Sequence, residues 1–491
     1  MAKIRFASPN EQRAISREHC GFYNALVIGA IYEFSGSSVD VRSSQSFYGA
    51  VKRCIDKYPT LSVVVRDMHT DAAFFEHVPT INLEDHISIV EESEANELVS
   101  KEREDDEIMR IETLLPSILD RPWPVSPGSP PPWKIVVLPL LSSNQQGREQ
   151  TRCFIGFSFS HAMGDGIISL AFHRTFRDGI FDQVHEDCSA LATPVADFPA
   201  PFDTAKNLPI SWGFLLGPLI AVLLPNFVVE MLGLRATTST VNSGTWTGSK
   251  MFFEPESFRS CLRLIEIEGP DVEHALRVAR KHGAKLTAAM DQCIVRALSK
   301  TIPRSEAANF VSGTAVNMRR AVGKSNDEMG FFVNACYEFY DREDSWASPW
   351  SEKAWEGARS LTEKLAECAV TLEDQPVGLL RYVPSISKWT RGKIGKERDS
   401  SYDVSNLGAF EAAAPQDPVD GVKCSITKMV FARPANVTSA PLTISVISVK
   451  GGSMVISIVW QPGALGIPLE SESRFVDELG TFLKEDLKSL N

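Results

Sequence analysis

Residues 152–177, RCFIGFSFSHAMGDGIISLAFHRTFR, constrain the fold of this chain more than any other stretch. From 153 to 160 the side chains alternate, with Cys, Ile, Phe and Phe on one face and Phe, Gly, Ser and Ser on the other. This period of two predicts a strand that is buried on at least one side. Gly164 and Gly166 then favour a sharp turn, and the apolar positions within 167–176 suit a packed helix. The sequence therefore predicts a strand, a tight turn and a helix in direct succession.

The predicted turn contains His161 and Asp165, two side chains that could do chemistry. A histidine at a strand end is held by rigid elements on both sides, which suits a catalytic base. The alternatives are a core histidine bonded to a backbone carbonyl and, for Asp165, an N-cap of the helix that starts near Gly166. We expect no metal, because an i,i+4 pair converges on a metal only on a helix. Residues 156–160 imitate a serine-hydrolase elbow but lack its second glycine.

Length and composition limit the possible functions. The chain has 491 residues, enough for two domains of roughly 200 residues or more. Its net charge of −12 argues against nucleic acid as a partner, because phosphate binding needs clustered positive charge. The nine cysteines are scattered without a CxxC pair, so we expect neither a disulfide framework nor a zinc site. The start of the chain is polar and mixed in charge, so we expect no secretory signal and a cytoplasmic location.

Hydrophobic periodicity predicts alternating helices and strands along the whole chain. In the first half, Ser46 is the expected N-cap of a helix that Pro59 ends. The other predicted elements of this half are a helix at 10–23, strands at 24–34, 61–65 and 133–138, an acidic helix within 91–115 and a polar hairpin loop at 142–151.

The small, polar stretch 235–248 is the best candidate for a crossover linker between two domains. We therefore divide the chain into residues 1–234, with the His161 motif, and residues 249–491. In the second part, Asp271 and Thr287 are the expected N-caps of two helices. Further predicted elements are strands at 310–316, 331–339, 443–449 and 454–460 and helices at 355–371 and 470–490. This mixture of α and β elements favours two α/β domains that share a cleft.

Residues 208–229 contain no charged side chain and are long enough to span a membrane. Pro218 and Pro225 would break helical hydrogen bonds that lipid cannot replace, which argues against a span. A span would also place His161 and the second domain on opposite sides of the bilayer. Two interpretations stay open: a buried segment or tunnel wall, and a patch that touches a membrane surface from one side, such as the endoplasmic reticulum or a lipid droplet.

FSFSHAMGDGIISLAF (157–172) resembles the active-site motif of the CoA-dependent acyltransferase superfamily. That group includes chloramphenicol-acetyltransferase-like enzymes, plant BAHD acyltransferases, condensation domains and fungal alcohol O-acetyltransferases. Four further segments resemble superfamily motifs in the expected order: 46–65, TAVNMRRAVG at 314–323, MGFFVNACYEF at 329–339 and VSNLGAF at 404–410. Condensation domains usually carry two consecutive histidines and BAHD enzymes a DFGWG motif, and this chain has neither. The sequence is most similar to the fungal alcohol O-acetyltransferase group.

The resemblance implies two chloramphenicol-acetyltransferase-like domains that form a pseudo-dimer with a tunnel at their interface. It implies that His161 is the general base and that no acyl-enzyme or permanently bound cofactor is needed. It also implies that Asp165 points away from substrate and pairs with Arg319, which would clamp the turn, with Gly166, to the second domain. Arg320 is the competing partner. Ser405 and Asn406 are candidates for oxyanion or substrate contacts.

The implied substrates are acetyl-CoA, or another acyl-CoA, and a hydrophobic small-molecule alcohol such as a fungal secondary metabolite. CoA carries phosphates, and the densest basic run of the chain lies at 388–398. Lys388 and Arg391 are therefore candidate CoA contacts, although a solvated basic loop explains the run as well. We expect a monomer.

Two other functions remain open at this stage. The same fold could act on a carrier-bound chain or an amine, in condensation, release or cyclisation. A non-catalytic binding protein could also keep the scaffold, but an intact His161, Asp165 and Gly166 argue against it.

Overall fold

The computed structural model describes residues 3–35, 39–91, 107–145, 148–182, 189–195, 197–223, 240–343, 350–411 and 423–491, without side chains at 141–145, 148–150 and 218–223. The helices in these ranges are α1 Pro9–His19, α2 Tyr48–Lys57, α3 Glu107–Leu119, α4 Ile167–Asp178, α5 Trp212–Leu223, α6 Gly269–Lys281, α7 Leu286–Thr301, α8 Glu352–Cys368, α9 Ile386–Arg391 and α10 Leu469–Lys488. The strands are β1 Lys3–Phe6, β2 Leu26–Ser35, β3 Val63–Arg66, β4 Phe74–His77, β5 Thr80–Asn82, β6 Ile87–Ile89, β7 Trp133–Gln145, β8 Arg148–Phe159, β9 Ala190–Ala192, β10 Cys261–Ile267, β11 Asn309–Asn317, β12 Val333–Asp341, β13 Tyr402–Phe410, β14 Lys423–Ala432, β15 Leu442–Val449 and β16 Met454–Trp460.

The larger sheet of the first half has the strand order β14-β2-β8-β7-β6. Its central strand β8 pairs antiparallel with both β2 and β7. The predicted period of two is confirmed: Ile155, Phe157 and Phe159 face the core under α2 and α4, whereas Phe154 faces a second core under α3. Phe157 stacks on Phe172 of α4 with ring centroids 3.8 Å apart. Each such buried ring contributes roughly 2 to 3 kcal/mol, so the strand and helix on either side of the turn are held firmly.

The sheet of the second half has the order β10-β16-β15-β13-β11-β12. Strand β13 runs parallel to both of its neighbours, β11 and β15. Helices α6, α7, α8 and α10 pack on one face of this sheet and bury its largest apolar cluster. Most of α7 is buried, as expected for a helix with apolar and small residues around most of its circumference.

One strand crosses between the halves. β14 follows β13 in the chain, yet it pairs antiparallel with β2 in the sheet that carries β8. The proposed boundaries at 1–234 and 249–491 therefore separate the two sheets except for residues 423–432. Of the linker 235–248, residues 235–239 lie outside the described ranges, and Thr245 bridges to Asn309 at the start of β11.

Several local predictions were wrong about where elements begin. Ser46 lies inside a 3-10 turn, Ser44–Phe47, and α2 begins only at Tyr48. Asp271 and Thr287 lie within the first turns of α6 and α7, whose N-caps are Glu268 and Lys285 without a side-chain capping bond. Tertiary packing rather than a capping side chain fixes these starts.

The hairpin predicted at 142–151 has longer strands than expected. β7 continues to Gln145 and β8 begins at Arg148, with register pairs up to Gln145 and Arg148. Of the acidic segment 91–115, residues 107–115 begin α3, and 92–106 lie outside the described ranges.

The uncharged segment 208–229 begins on the second half. The Leu208 carbonyl accepts a hydrogen bond from Arg381, and the backbone N–H of Ser211 donates to Asp374 at 2.7 Å. The segment then forms α5, where Trp212 is 76% exposed and Leu216 is 42% exposed. Within the described ranges no helix is long and apolar enough to cross a membrane.

Candidate active site

A cavity of about 480 Å³ lies between the two halves. His161, Asp165 and Gly166 line it from the first half. Ser405 on β13, one residue beyond its pairing with β11, lines the cavity from the second half, and Phe431 lines it from the crossing strand β14. The site predicted from 152–177 is therefore completed by residues far away in the sequence.

The turn after β8 packs closely against the backbone of the second half. Ser160 accepts a hydrogen bond from the N–H of Ala162 at 3.2 Å and starts a 3-10 turn over His161–Met163. A Cβ at Gly164 would lie 2.9 Å from the Ile168 side chain and 3.0 Å from the Gly330 carbonyl oxygen. Only glycine allows this approach without displacing the second-half backbone.

His161 is fixed in one tautomer. Its Nδ1 lies 2.8 Å from the carbonyl oxygen of Gly164. A carbonyl only accepts, so Nδ1 carries the proton and Nε2 keeps a free lone pair. The ring lies against Tyr23, with centroids 5.7 Å apart, and meets the edge of Phe331 at 4.7 Å. This arrangement presents a neutral imidazole that can accept a proton.

The pKa of His161 is lowered to about 4, mainly by burial. The nearby charges of Arg13 and Arg17 also lower this pKa, whereas the hydrogen bond to the Gly164 carbonyl and the charge of Asp165 raise it. Desolvation and positive neighbours both disfavour the imidazolium form. The imidazole is therefore neutral at physiological pH and ready to act as a base.

The predicted ion pair between Asp165 and Arg319 is present and buried. Asp165 Oδ2 accepts from Arg319 Nη1 at 2.9 Å and from the Phe332 N–H at 2.8 Å, and Oδ1 accepts from the Ile167 N–H at 3.1 Å. Arg319 also donates to the Gly330 carbonyl at 3.0 Å and is 0% exposed. The N-cap of α4 is Gly166 rather than Asp165, and the Asp165 carboxylate accepts from the N–H of the first helical residue. The same carboxylate ties the His161 turn to the second half.

The remaining candidates differ in whether they reach the cavity. Ser405 lines the cavity, and its hydroxyl has no hydrogen bond in the described part of the chain. Asn406 does not line it: its amide donates to Thr287 at 3.0 Å and accepts from the Gly408 N–H at 2.8 Å, which holds the strand end. Arg320, the competing partner for Asp165, is exposed.

The basic run at 388–398 is divided between three environments. Lys388 and Arg391 on α9 do not line the cavity, and Arg391 donates to Ser387 one turn earlier at 3.0 Å. Lys393 and Lys396 do line it. Arg398 is buried and donates to backbone carbonyl groups, including that of Asn436 at 2.9 Å. The run is therefore neither a single solvated loop nor a single phosphate site.

Sequence reasoning gave no role to Arg13, Arg17 and Tyr23, which all line the cavity. The only sequence signal was the i,i+4 spacing of the two arginines within a predicted helix, which places them on one face. Among the described residues, no group of three or more His, Cys, Asp or Glu side chains is arranged to hold a metal ion.

If His161 is the catalytic base, the pH dependence of kcat/KM is expected to reflect its lowered pKa. Because protonation needs a lower pH than for a free imidazole of pKa about 6.5, kcat/KM should stay level from about pH 8 to pH 5 and fall near pH 4. Stopped-time assays across this range measure the position of the acid limb. Burial also raises the pKa of Glu18, which accepts a hydrogen bond from Ser160, to about 7. A limb near pH 7 that persists in Glu18→Gln would contradict the assignment to His161.

This fold and site define a class: two-lobed acyltransferases of mixed α/β structure in which a strand-end histidine faces a cavity between the lobes. Within that class, the chain belongs to the alcohol acetyltransferase family, whose sequence model matches residues 38–472. It is an acyltransferase, and its substrates are an acyl-CoA and an alcohol.

Individual relatives agree with this assignment. The chain is 25% identical over 471 residues to the probable alcohol acetyltransferase crmB of Aspergillus fumigatus, covering 93% of this chain and 94% of the relative. The structure of TRI3 trichothecene 15-O-acetyltransferase from Fusarium sporotrichioides is similar with a TM-score of 0.66 at 13% identity, covering 99% of this chain and 95% of that one. The condensation domain of the Monacolin K polyketide synthase MokA gives a TM-score of 0.56 at 10% identity, covering 99% and 97%. At such identities the structural likeness establishes the two-lobed fold.

Proposed function

We propose that this enzyme transfers the acetyl group of acetyl-CoA directly to a hydroxyl group of a small-molecule secondary metabolite, with His161 as the general base. The observation that carries the proposal is the fixed tautomer of His161, whose free Nε2 belongs to the ring that lines the cavity between the halves. Such a base accelerates proton transfer by roughly 10²- to 10⁴-fold when its reacting atom is held in place.

The proposed reaction has two steps. The acceptor oxygen forms a bond to the thioester carbonyl carbon while its proton moves to Nε2 of His161. The tetrahedral oxyanion then collapses, the carbon–sulfur bond breaks, and the imidazolium returns the proton to the CoA thiolate. Ser405 is the favoured oxyanion donor, because its hydroxyl lines the cavity and has no bond within the described residues. Asp165, Arg319 and Gly166 act through the His161 turn as positioning residues.

The donor is proposed to enter past the rim that carries Lys396. This side chain is exposed, lines the cavity and is placed to meet a CoA phosphate. Lys388 and Arg391 lie outside the lining, so we assign them no contact near the thioester.

We further propose that the enzyme acts as a monomer and that the exposed Trp212 and Leu216 on α5 allow contact with a membrane surface.

Purified enzyme incubated with acetyl-CoA and a panel of alcohols is expected to release free thiol in step with the acetylated alcohol. Direct transfer also predicts that acid-quenched enzyme, pulsed with radiolabelled acetyl-CoA alone, carries no covalent label. Stoichiometric labelling of the protein would contradict direct transfer. Turnover of an acetylated carrier protein but not of acetyl-CoA would instead support the carrier-dependent alternative.

A further inference from the structure

Two arginines on α1 face the reaction cavity. The helix starts at a capping box in which Ser8 accepts from the Glu11 N–H and Glu11 accepts from the Ser8 N–H. Arg13 and Arg17 lie one turn further along and share one face, and both line the cavity. The neighbouring positions of the helix, among them Ile15, are buried. This burial fixes the face of α1 that carries both arginines toward the cavity.

Neither guanidinium has a hydrogen bond or an ion pair with another part of the described chain. The guanidinium of Arg17 lies over the face of Tyr23, 5.3 Å from the ring centroid. Burial, and the charge of Arg17, lower the pKa of Arg13 to about 10, so it remains charged at neutral pH. A half-buried guanidinium carries five donors, and leaving them unsatisfied is costly unless a ligand accepts them.

Asp399 and Asp403, two carboxylates that line the same cavity, do not accept hydrogen bonds from Arg13 or Arg17. Asp399 accepts from Lys393 at 3.2 Å and from Ser439 at 2.7 Å. Asp403 accepts from Asn436 at 2.7 Å. Both carboxylates are thus hydrogen-bonded to residues of the second half. They offset part of the charge of Arg17, and Asp203 offsets part of the charge of Arg13, but none forms an ion pair with either arginine within the described residues. The donors of the two guanidinium groups therefore stay open.

The position of Tyr23 decides which substrate the arginines meet. Its ring contacts both the Arg17 guanidinium and the ring of His161, whose centroid lies 5.7 Å away. Tyr23 adopts a left-handed backbone conformation with φ 66°, which a non-glycine residue keeps only where its surroundings hold it. A group bound by Arg17 is therefore about one aromatic ring away from the base. The long pantetheine arm separates the CoA phosphates from the thioester, so the donor phosphates do not fit this place.

We propose that Arg13 and Arg17 bind a carboxylate of the acceptor and orient its hydroxyl toward His161, so that the preferred acceptor is a hydroxy acid. The inference rests on the proposed function and names its substrate class. Guanidinium groups bind carboxylates through paired, charge-assisted hydrogen bonds, which fix orientation as well as affinity. The bound carboxylate would neutralise part of the positive charge and satisfy the donors that the protein leaves open.

The test uses matched acceptors: 4-(hydroxymethyl)benzoate and 12-hydroxydodecanoate, each against its methyl ester, at a pH where both acids are ionised. The wild-type enzyme is expected to have a higher kcat/KM for the acid of at least one pair. In Arg17→Gln and Arg13→Gln the acid-to-ester ratio of kcat/KM should fall roughly 10- to 100-fold, with partial recovery in Arg17→Lys. Arg277→Gln, an exposed arginine of α6, is the control and should leave the ratio unchanged. Preference for the ester in both pairs, or a ratio that neither substitution alters, would overturn the inference.

A second measurement separates this inference from the proposed function. Calorimetric binding of the same four compounds to the enzyme without acetyl-CoA should favour the acid, and Arg17→Gln should remove the preference. If the acids bind preferentially but no acetyl transfer occurs, the carboxylate site stands and the proposed function fails. If the acids inhibit transfer to a neutral alcohol by competing with acetyl-CoA rather than with the alcohol, the arginines serve the donor and the inference fails.

Discussion

Replacing His161 by alanine is expected to lower kcat for acetyl transfer by roughly 10³-fold, because the base that removes the hydroxyl proton is lost. The imidazole is held by Gly164, Tyr23 and Phe331, and no other side chain of the turn offers a free lone pair at the same place. Thiol release measured with saturating acetyl-CoA and alcohol gives kcat directly. The residual activity should be independent of pH across the range in which the wild-type enzyme loses activity near pH 4.

The matched control is His69→Ala. His69 is exposed and does not line the cavity, so its removal should leave kcat within about twofold of wild type. Circular dichroism and thermal melting establish that both variants fold. A folded His161→Ala enzyme with more than a tenth of the wild-type kcat would remove His161 from the proposed role and leave positioning by the cavity as the source of catalysis.

The strand, turn and helix around His161 could be predicted because each depends on local pattern. The alternation at 153–160 places Phe157 and Phe159 in the core, and Gly164 permits the close approach of the second half. The partner of Asp165 lies 154 residues later, and no local pattern specifies it. Arg319 was identified through resemblance to a family motif, and its competitor Arg320, the next residue in the chain, proved to be exposed.

Features that depend on tertiary arrangement could not be predicted. β14 pairs with β2 although almost 400 residues separate them in the chain, and the sequence analysis predicted no strand at 423–432. The placement of Arg13 and Arg17 in the cavity lining follows from the packing of α1, which periodicity does not reveal. The starts of α6 and α7 were misplaced because Asp271 and Thr287 match the composition of N-caps, whereas burial sets these boundaries.

Arg319→Met is expected to destabilise the enzyme by about 3 to 5 kcal/mol, because it leaves the buried Asp165 carboxylate without its counter-charge. It also removes the donors to the carbonyl oxygens of Gly330 and Glu328, which lie 3.0 Å and 3.1 Å from the guanidinium. Urea unfolding gives the loss of stability. The exposed pair Lys52–Asp56 is the control, and Asp56→Asn should cost less than about 0.5 kcal/mol.

The same ion pair should affect catalysis through position rather than proton transfer. Asp165→Asn keeps an acceptor for the Ile167 N–H but loses the charge that holds Arg319, so the His161 turn loosens and kcat should fall roughly 10- to 100-fold. Asp165 does not itself carry the transferred proton. The acid limb of the pH profile, which reports the protonation of His161, should therefore shift only slightly in Asp165→Asn. Because the two side chains contact each other, the stability loss in the double variant Asp165→Asn/Arg319→Met should be smaller than the sum of the single losses. Additive losses, with unchanged kcat in all three variants, would show that the pair does not support the His161 turn.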